Sequence, residues 1–272
     1  MEFKNRANKK ANKWINIEMN RLILVMMLAG CSLLAKAQFT HGTTGLLEMP
    51  TADMQKDKTF MVGGGYLDNT VTPPNWTYNT WNYYLNITIF PWLEVAYACT
   101  IFNHWNKNIH IKNQDRNYSV RLRLWKEGWW KKWTPQIVIG SNDVGTSSGD
   151  NGGTSVGDSG NGYWNRYFLA ATKHFTFQQF GELGLHASYL YNRRKDNPLN
   201  GPAFGVNFRF GLQGSGFWSK AVNGVNLMAE YDSKHVNIGG AYSVWKDRIH
   251  AYFELSQCKH PSAGLRLSVC LK

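Results

Sequence analysis

The last fifth of the chain, residues 224–272, repeats one period-two pattern three times with only a few residues between repeats. From His235 to Val244 the apolar positions are Val236, Ile238, Tyr242 and Val244, and His235, Asn237 and Ser243 alternate with them. From Arg248 to Ser256, Ile249, Ala251, Phe253 and Leu255 share one face, and Arg248, His250, Tyr252 and Glu254 the other. The last segment sets Leu265, Leu267, Val269 and Leu271 against Arg266, Ser268 and Cys270. Successive side chains of a strand point to opposite faces, so the pattern predicts a β-meander with one oily and one polar side. What the oily side meets stays open at this point, because a soluble sandwich alternates in the same way.

The front of the chain bears on that choice. After Arg21, an apolar run from Leu22 to Leu34 leads to Ala35-Lys36-Ala37, the form of a secretory signal with a small-x-small cleavage site and too short to span a bilayer. Residues 1–37 are therefore read as a signal peptide with a basic n-region. Leu28-Ala29-Gly30-Cys31 also fits a lipobox, in which cleavage leaves Cys31 lipidated. Either route exports the protein. Of the net charge of +12, the seven Lys or Arg and two Glu of residues 1–37 contribute +5, leaving +7 for the rest. No face gathers clustered Lys and Arg, which excludes a nucleic-acid partner. Cys99, Cys258 and Cys270 show no disulfide framework or metal spacing. The last two are read as opposite ends of one strand, roughly 40 Å apart at about 3.3 Å per residue.

Taken in order, residues 38–58 are a leader, expected in the periplasm, and residues 59–272 a single domain. Strands are predicted at 59–67, 80–90, 92–101, 118–124, 135–142, 163–173, 182–191, 203–211 and 225–232, followed by the three of the meander. These twelve have about the length that crosses a bilayer when tilted. Four long polar loops (68–79, 103–116, 143–162 and 192–202) follow strands one, three, five and seven. Most other connections are short and aromatic, with 212–223 the exception. Long loops at one end and tight turns at the other are the habit of outer-membrane barrels. A closed barrel also satisfies every backbone hydrogen bond, as hydrocarbon requires. Trp81, Trp92, Trp164, Trp218 and Trp245 fit interfacial girdles. The fold class expected is thus all-β, an antiparallel transmembrane barrel of about twelve strands, with a secreted sandwich as the alternative.

In that barrel Glu94, Arg121, Arg123, Glu182, His186, Arg209, Glu230, Asp232, Arg248, His250, Glu254 and Arg266 face inward. Their mixed signs predict ion-paired ladders across neighbouring strands. Two uses are open: they fill and stiffen a narrow barrel, or they line a polar lumen where Arg121, Arg123 and aromatic groups such as Tyr84 and Tyr252 meet an acidic or neutral glycan. Asp232, Ser233 and His235 crowd the shortest loop, but tight turns favour Asp and Ser for backbone reasons. The expectation is a protein that is not an enzyme. Asp143, Asp150 and Asp158 lack the ligand ladder of a calcium site, so neither a metal nor another cofactor is expected.

Several segments, in order, resemble a known family: Gly45-Leu46-Leu47-Glu48-Met49-Pro50-Thr51-Ala52, the run from Arg121 to Gly128 followed by Pro135, Gly140 to Gly145, Tyr167 to Lys173, and Ala229-Glu230-Tyr231-Asp232. Together they look like the YjbH-type exopolysaccharide-associated outer-membrane proteins of Gram-negative bacteria, in a short, single-barrel version. The resemblance implies a role in export, assembly or surface display of an exopolysaccharide or capsule. The partners it implies are outer-membrane lipid, a polysaccharide and periplasmic export proteins. The alternative is a general porin or structural outer-membrane protein without a glycan role.

Overall fold

The computed structural model describes residues 40–106, 109–144, 163–192, 200–214, 216–245 and 247–271. The signal segment 1–37, Cys31 and most of the Gly-rich stretch 143–162 lie outside them.

Twelve strands follow one another along the chain: β1 (Thr59–Leu67), β2 (Thr80–Phe90), β3 (Leu93–Asn106), β4 (Ile109–Trp125), β5 (Gln136–Asn142) and β6 (Arg166–Phe177) make up the first half. The second half comprises β7 (Gly181–Tyr191), β8 (Gly201–Phe210), β9 (Val225–Tyr231), β10 (Val236–Val244), β11 (Ile249–Ser256) and β12 (His260–Cys270). Each pairs antiparallel with its sequence neighbours, and β1 pairs with β12 from Thr59↔Cys270 to Tyr66↔Ala263, so the sheet closes. Closure excludes the sandwich: the ladder runs round the molecule and leaves no edge.

The alternation is realised as read. On β11 and β12, Phe253 and Leu265 are 51 % and 61 % exposed on the outside while Arg266 is 2 % exposed within. Leu85, Leu122, Leu169, Val206 and Ile238 continue the outward apolar surface on other strands. A wall that turns its oily side outward and its charges inward suits hydrocarbon.

Three local expectations are corrected. The stretch 103–116 is no loop: β3 and β4 continue as a paired ribbon to Asn106↔Ile109. Polar composition there reads as coil, yet a ribbon that projects past an apolar band needs no oily face. The connection 212–223 contains a short helix, α1 (Phe217–Asn223), with Phe217 and Trp218 exposed. Trp164 does not join the outward girdle of Trp81, Trp92, Trp218 and Trp245; it is 4 % exposed and turned inward.

The largest departure is the leader. Residues 40–52 are buried throughout, and Leu46, Leu47, Met49 and Ala52 pack into one cluster with Val138, Phe168, Leu190, Met228 and other inward-facing side chains. Residues 40–55 thus form a plug inside the barrel, where a periplasmic leader was expected. The reason is apolar content: Leu46, Leu47 and Met49 gain more against the inward apolar groups than in water.

Candidate functional site

The plug has little regular structure, so its backbone groups need partners other than a ladder. Around Glu48 it makes a tight turn, with Gly45 bridged to Pro50 and the Leu46 amide donating to the Met49 carbonyl at 3.2 Å. The turn aims three successive amides at one carboxylate: Leu47 donates to Glu230 Oε2 at 3.0 Å, and Glu48 and Met49 donate to Oε1 at 2.7 and 3.1 Å. Such a nest holds an anion as a helix N-terminus does. Pro50, next in line, has no amide to leave unpaired.

A second anchor lies on β3 and β4, where Glu94 and Arg121 stand opposite one another. Their ion pair, 2.9 Å long, is fully buried. Glu94 also accepts from the Thr44 amide and hydroxyl, each at 2.7 Å. Arg121 donates to the carbonyls of Thr51 and, at 2.9 Å, Asp53. The pair is the cross-strand ladder the sequence suggests, but each member spends its spare hydrogen bonds on the plug.

The remaining anchors repeat this pattern. Arg166 donates to the Glu48 carbonyl at 2.9 Å, Asn86 to Gly42 at 2.8 Å, and Gln136 to Ala52. The Ala52 amide donates to Thr172 Oγ1 at 2.9 Å, which meets His186 Nδ1 at 2.9 Å; His186 Nε2 reaches Asn207 Oδ1 at 2.8 Å. Glycines make the room. A Cβ on Gly205 would lie 2.4 Å from Leu46 Cδ1, and Gly42, at φ +66°, faces Tyr84, whose Cβ a methyl would meet at 2.5 Å.

At the short-turn end, His174 ties plug to wall: Nδ1 is 2.8 Å from Glu127 and Nε2 is 3.3 Å from Asp53. Burial works to raise the Glu127 carboxyl, but hydrogen bonds from Lys173 and His174 leave it below the usual range.

At the other end, between the β1–β2 and β9–β10 connections, a cavity of about 300 Å³ opens above the plug. Its floor is His41 and Glu48. Its walls come from the β1–β2 loop (Asn69 to Thr72, Pro74), from Tyr163 to Arg166, from the turn holding Asp232, Lys234 and His235, and from Ser256 and Gln257. Trp164 stands perpendicular to Tyr163 with ring centres 4.9 Å apart, and to His41 at 5.7 Å, while its Nε1 donates to Asp115 at 3.1 Å. Burial, against the hydrogen bond from Thr40, pushes the Glu48 carboxyl up to about 8, and neighbouring Glu230 adds to the rise. Burial, then the Arg166 charge, holds the His41 imidazole well below its usual value.

The twelve inward candidates thus separate. Glu94, Arg121, His186 and Glu230 are buried and hold the plug directly or through a relay. Arg248, His250, Glu254 and Arg266 are also buried; Arg248 lies over the Trp245 ring at 5.2 Å and Arg266 over Tyr252 at 4.9 Å. His250 donates from Nε2 to the Asp247 carbonyl at 2.9 Å and meets the Ser243 hydroxyl at 2.8 Å. Arg123, Glu182, Arg209 and Asp232 are part-exposed near strand ends, with Arg209 paired to Asp247 at 2.7 Å. Asp232 accepts from the amides of Lys234 and His235 at 2.9 and 2.7 Å, the turn chemistry its position favours. Tyr84 is fully buried beside Gly42 of the plug. Thr44, Asn86, Gln136, Arg166 and Thr172 were missed. For Asn86, Gln136, Arg166 and Thr172 the only sequence signal is an inward parity on their strands; Thr44, in the plug, has none.

No group of three or more His, Cys, Asp or Glu among the described residues forms a metal site, and Cys99, Cys258 and Cys270 are free.

A family model described as "Exopolysaccharide biosynthesis protein YbjH" matches residues 37–236. No curated protein matches the chain. Among solved structures, the outer membrane phospholipase dimer of Salmonella typhi with bound calcium is 10 % identical at a TM-score of 0.36, covering 81 % of this chain and 95 % of that one. Outer membrane phospholipase A from Escherichia coli is 10 % identical at a TM-score of 0.34, covering 80 % and 97 %. These similar barrels are enzymes, so the expectation of a non-enzymatic protein is withdrawn. Neither their activity nor the calcium is carried over to this chain.

Proposed function

Since the chain belongs to the YjbH family of exopolysaccharide biosynthesis proteins, we propose that it is an outer-membrane barrel acting in the export, assembly or surface display of an exopolysaccharide or capsule. Export would begin with residues 1–37, by cleavage after Ala37 or by lipidation at Cys31, and periplasmic export proteins would deliver the glycan. The observation that carries the reading is the extent of the family match: from residue 37 to residue 236 it takes in the plug together with β1 to β9. An outward apolar wall supports residence in lipid. A lumen filled by residues 40–55 speaks against a general porin, whose interior stays open to small solutes.

Deletion of the gene tests this. Loss of surface polysaccharide, restored by the wild-type chain, is the expected outcome. Intact polysaccharide with altered uptake of small solutes would sink it in favour of the porin.

A further inference from the structure

Plug and wall together line one cavity, which their mutual hydrogen bonds leave open. At about 300 Å³ it reaches the lower end of small-molecule sites, which begin at roughly 300 Å³. Its lining combines aromatic surface with closely spaced donors and acceptors. Trp164, Tyr163 and the His41 ring supply the first; Asn69, Thr70 and Gln257 are among the second. His41 lies in the floor of the cavity; the residue is 4 % exposed, and its Nδ1 has no hydrogen-bond partner among the described residues. A buried ring nitrogen without a partner costs free energy.

The charges narrow the class. The cations lining the space are Arg166 and Lys234, with His235 able to join them; the carboxyl groups are Glu48 and Asp232. Arg166 is already set among Glu48, Asp232 and Glu230. Groups of both kinds line the space, and a ring bearing several hydroxyls, each both donor and acceptor, would find donors and acceptors at once. A sugar ring has the size, the hydroxyls and an apolar face for an aromatic side chain.

Resting on the reading of the protein as a polysaccharide-handling barrel, we infer that this cavity is a saccharide-binding site at the mouth of the barrel, taking a neutral hexose unit, with His41 and Trp164 as contact residues. The plug supplies its floor, so barrel wall and leader build the site together.

The test uses the full-length protein purified in detergent, with maltose, cellobiose and lactose as neutral probes and glucuronate as a charged one, read by saturation-transfer NMR. At least one disaccharide is expected to bind, and glucuronate at least tenfold more weakly. Val71→Trp, which fills the cavity from the β1–β2 loop, is expected to abolish the signal. His41→Phe, which keeps the ring but removes both nitrogens, is expected to weaken binding about tenfold. Heat-modifiable migration on a gel shows that each variant still folds. No disaccharide signal from the wild type, or one that both variants retain, would overturn the inference. Competition by delipidated lipopolysaccharide would place the source of the sugar in the membrane itself, and its failure to compete would place it in the exported polymer; both outcomes support the site. In cells, a deletion that loses surface polysaccharide and is fully rescued by Val71→Trp would remove the site and leave the proposed function standing. A deletion that loses nothing would remove the proposed function, with the binding result deciding the site by itself.

Discussion

Wall and plug solve one problem in opposite ways. Both are stretches of backbone that hydrocarbon or a packed interior shuts off from water. The wall pairs backbone with backbone, strand to strand, all the way round. The plug pairs backbone with side chains: three amides with Glu230, two carbonyls with Arg121, one each with Arg166, Asn86 and Gln136. A ladder tolerates most single substitutions because no side chain takes part in it. The plug depends on a handful of residues, each serving several backbone groups.

That contrast is testable, beginning with the largest effect. Arg121→Met leaves Glu94 buried without its cation, a change that costs about 3–5 kcal/mol, and strips two carbonyls of their donor. Fast hydrogen exchange at Thr44 and Leu47 to Met49 and an ion current across planar bilayers are expected, with the gel shift of a folded barrel retained; a silent, protected variant would mean that the plug is not held there. Phe253→Arg strikes the wall instead. A charge on the lipid face costs about 2–4 kcal/mol near the bilayer midplane, so the folded fraction in lipid vesicles falls, while the molecules that do fold keep their plug protected.

Glu230→Gln keeps one acceptor oxygen for three amides, and an unmatched buried donor costs about 1–3 kcal/mol. Hydrogen exchange at Leu47, Glu48 and Met49 should quicken without change in the strands. Continuous, where the others are steps, is the response to pH. Glu48 ionises near 4.5 when free and near 8 when docked, so the docked plug binds an additional proton between those values. Its docking is strongest below about 4.5, weakens by up to about tenfold per pH unit above that, and levels off beyond about 8. Glu48→Gln should flatten the profile; an unchanged slope would assign it to another group.

The same contrast explains what could be read in advance. The ends of β1 and β2 fall where the alternation places them, at Thr59–Leu67 and Thr80–Phe90, because a strand with one oily face writes its period into the sequence. The ribbon of β3 and β4 beyond the apolar band has no such face, so its Asn and Lys residues looked like loop. The plug has no period at all. Gly45 to Ala52 shows three large apolar residues beside a Glu and a Pro, and nothing in that order says which carboxylate, among those of β3, β9 and β11, will receive its amides. Parity does identify Glu94 and Glu230 as inward, but their partners lie 50 and 183 positions away in the chain. Trp164 was misplaced for a related reason: an aromatic near a strand end is equally at home in a lipid girdle or inside a mouth.

The bond from Leu47 to Glu230, spanning 183 residues, also fixes an order of events. The segment that fills the interior is made before any strand, yet its carboxylate receptor arrives only with β9, and the ring around it closes only when β12 meets β1. Contacts so distant along the chain are reached late. Throughout synthesis this oily segment is therefore without its berth until β9 has followed.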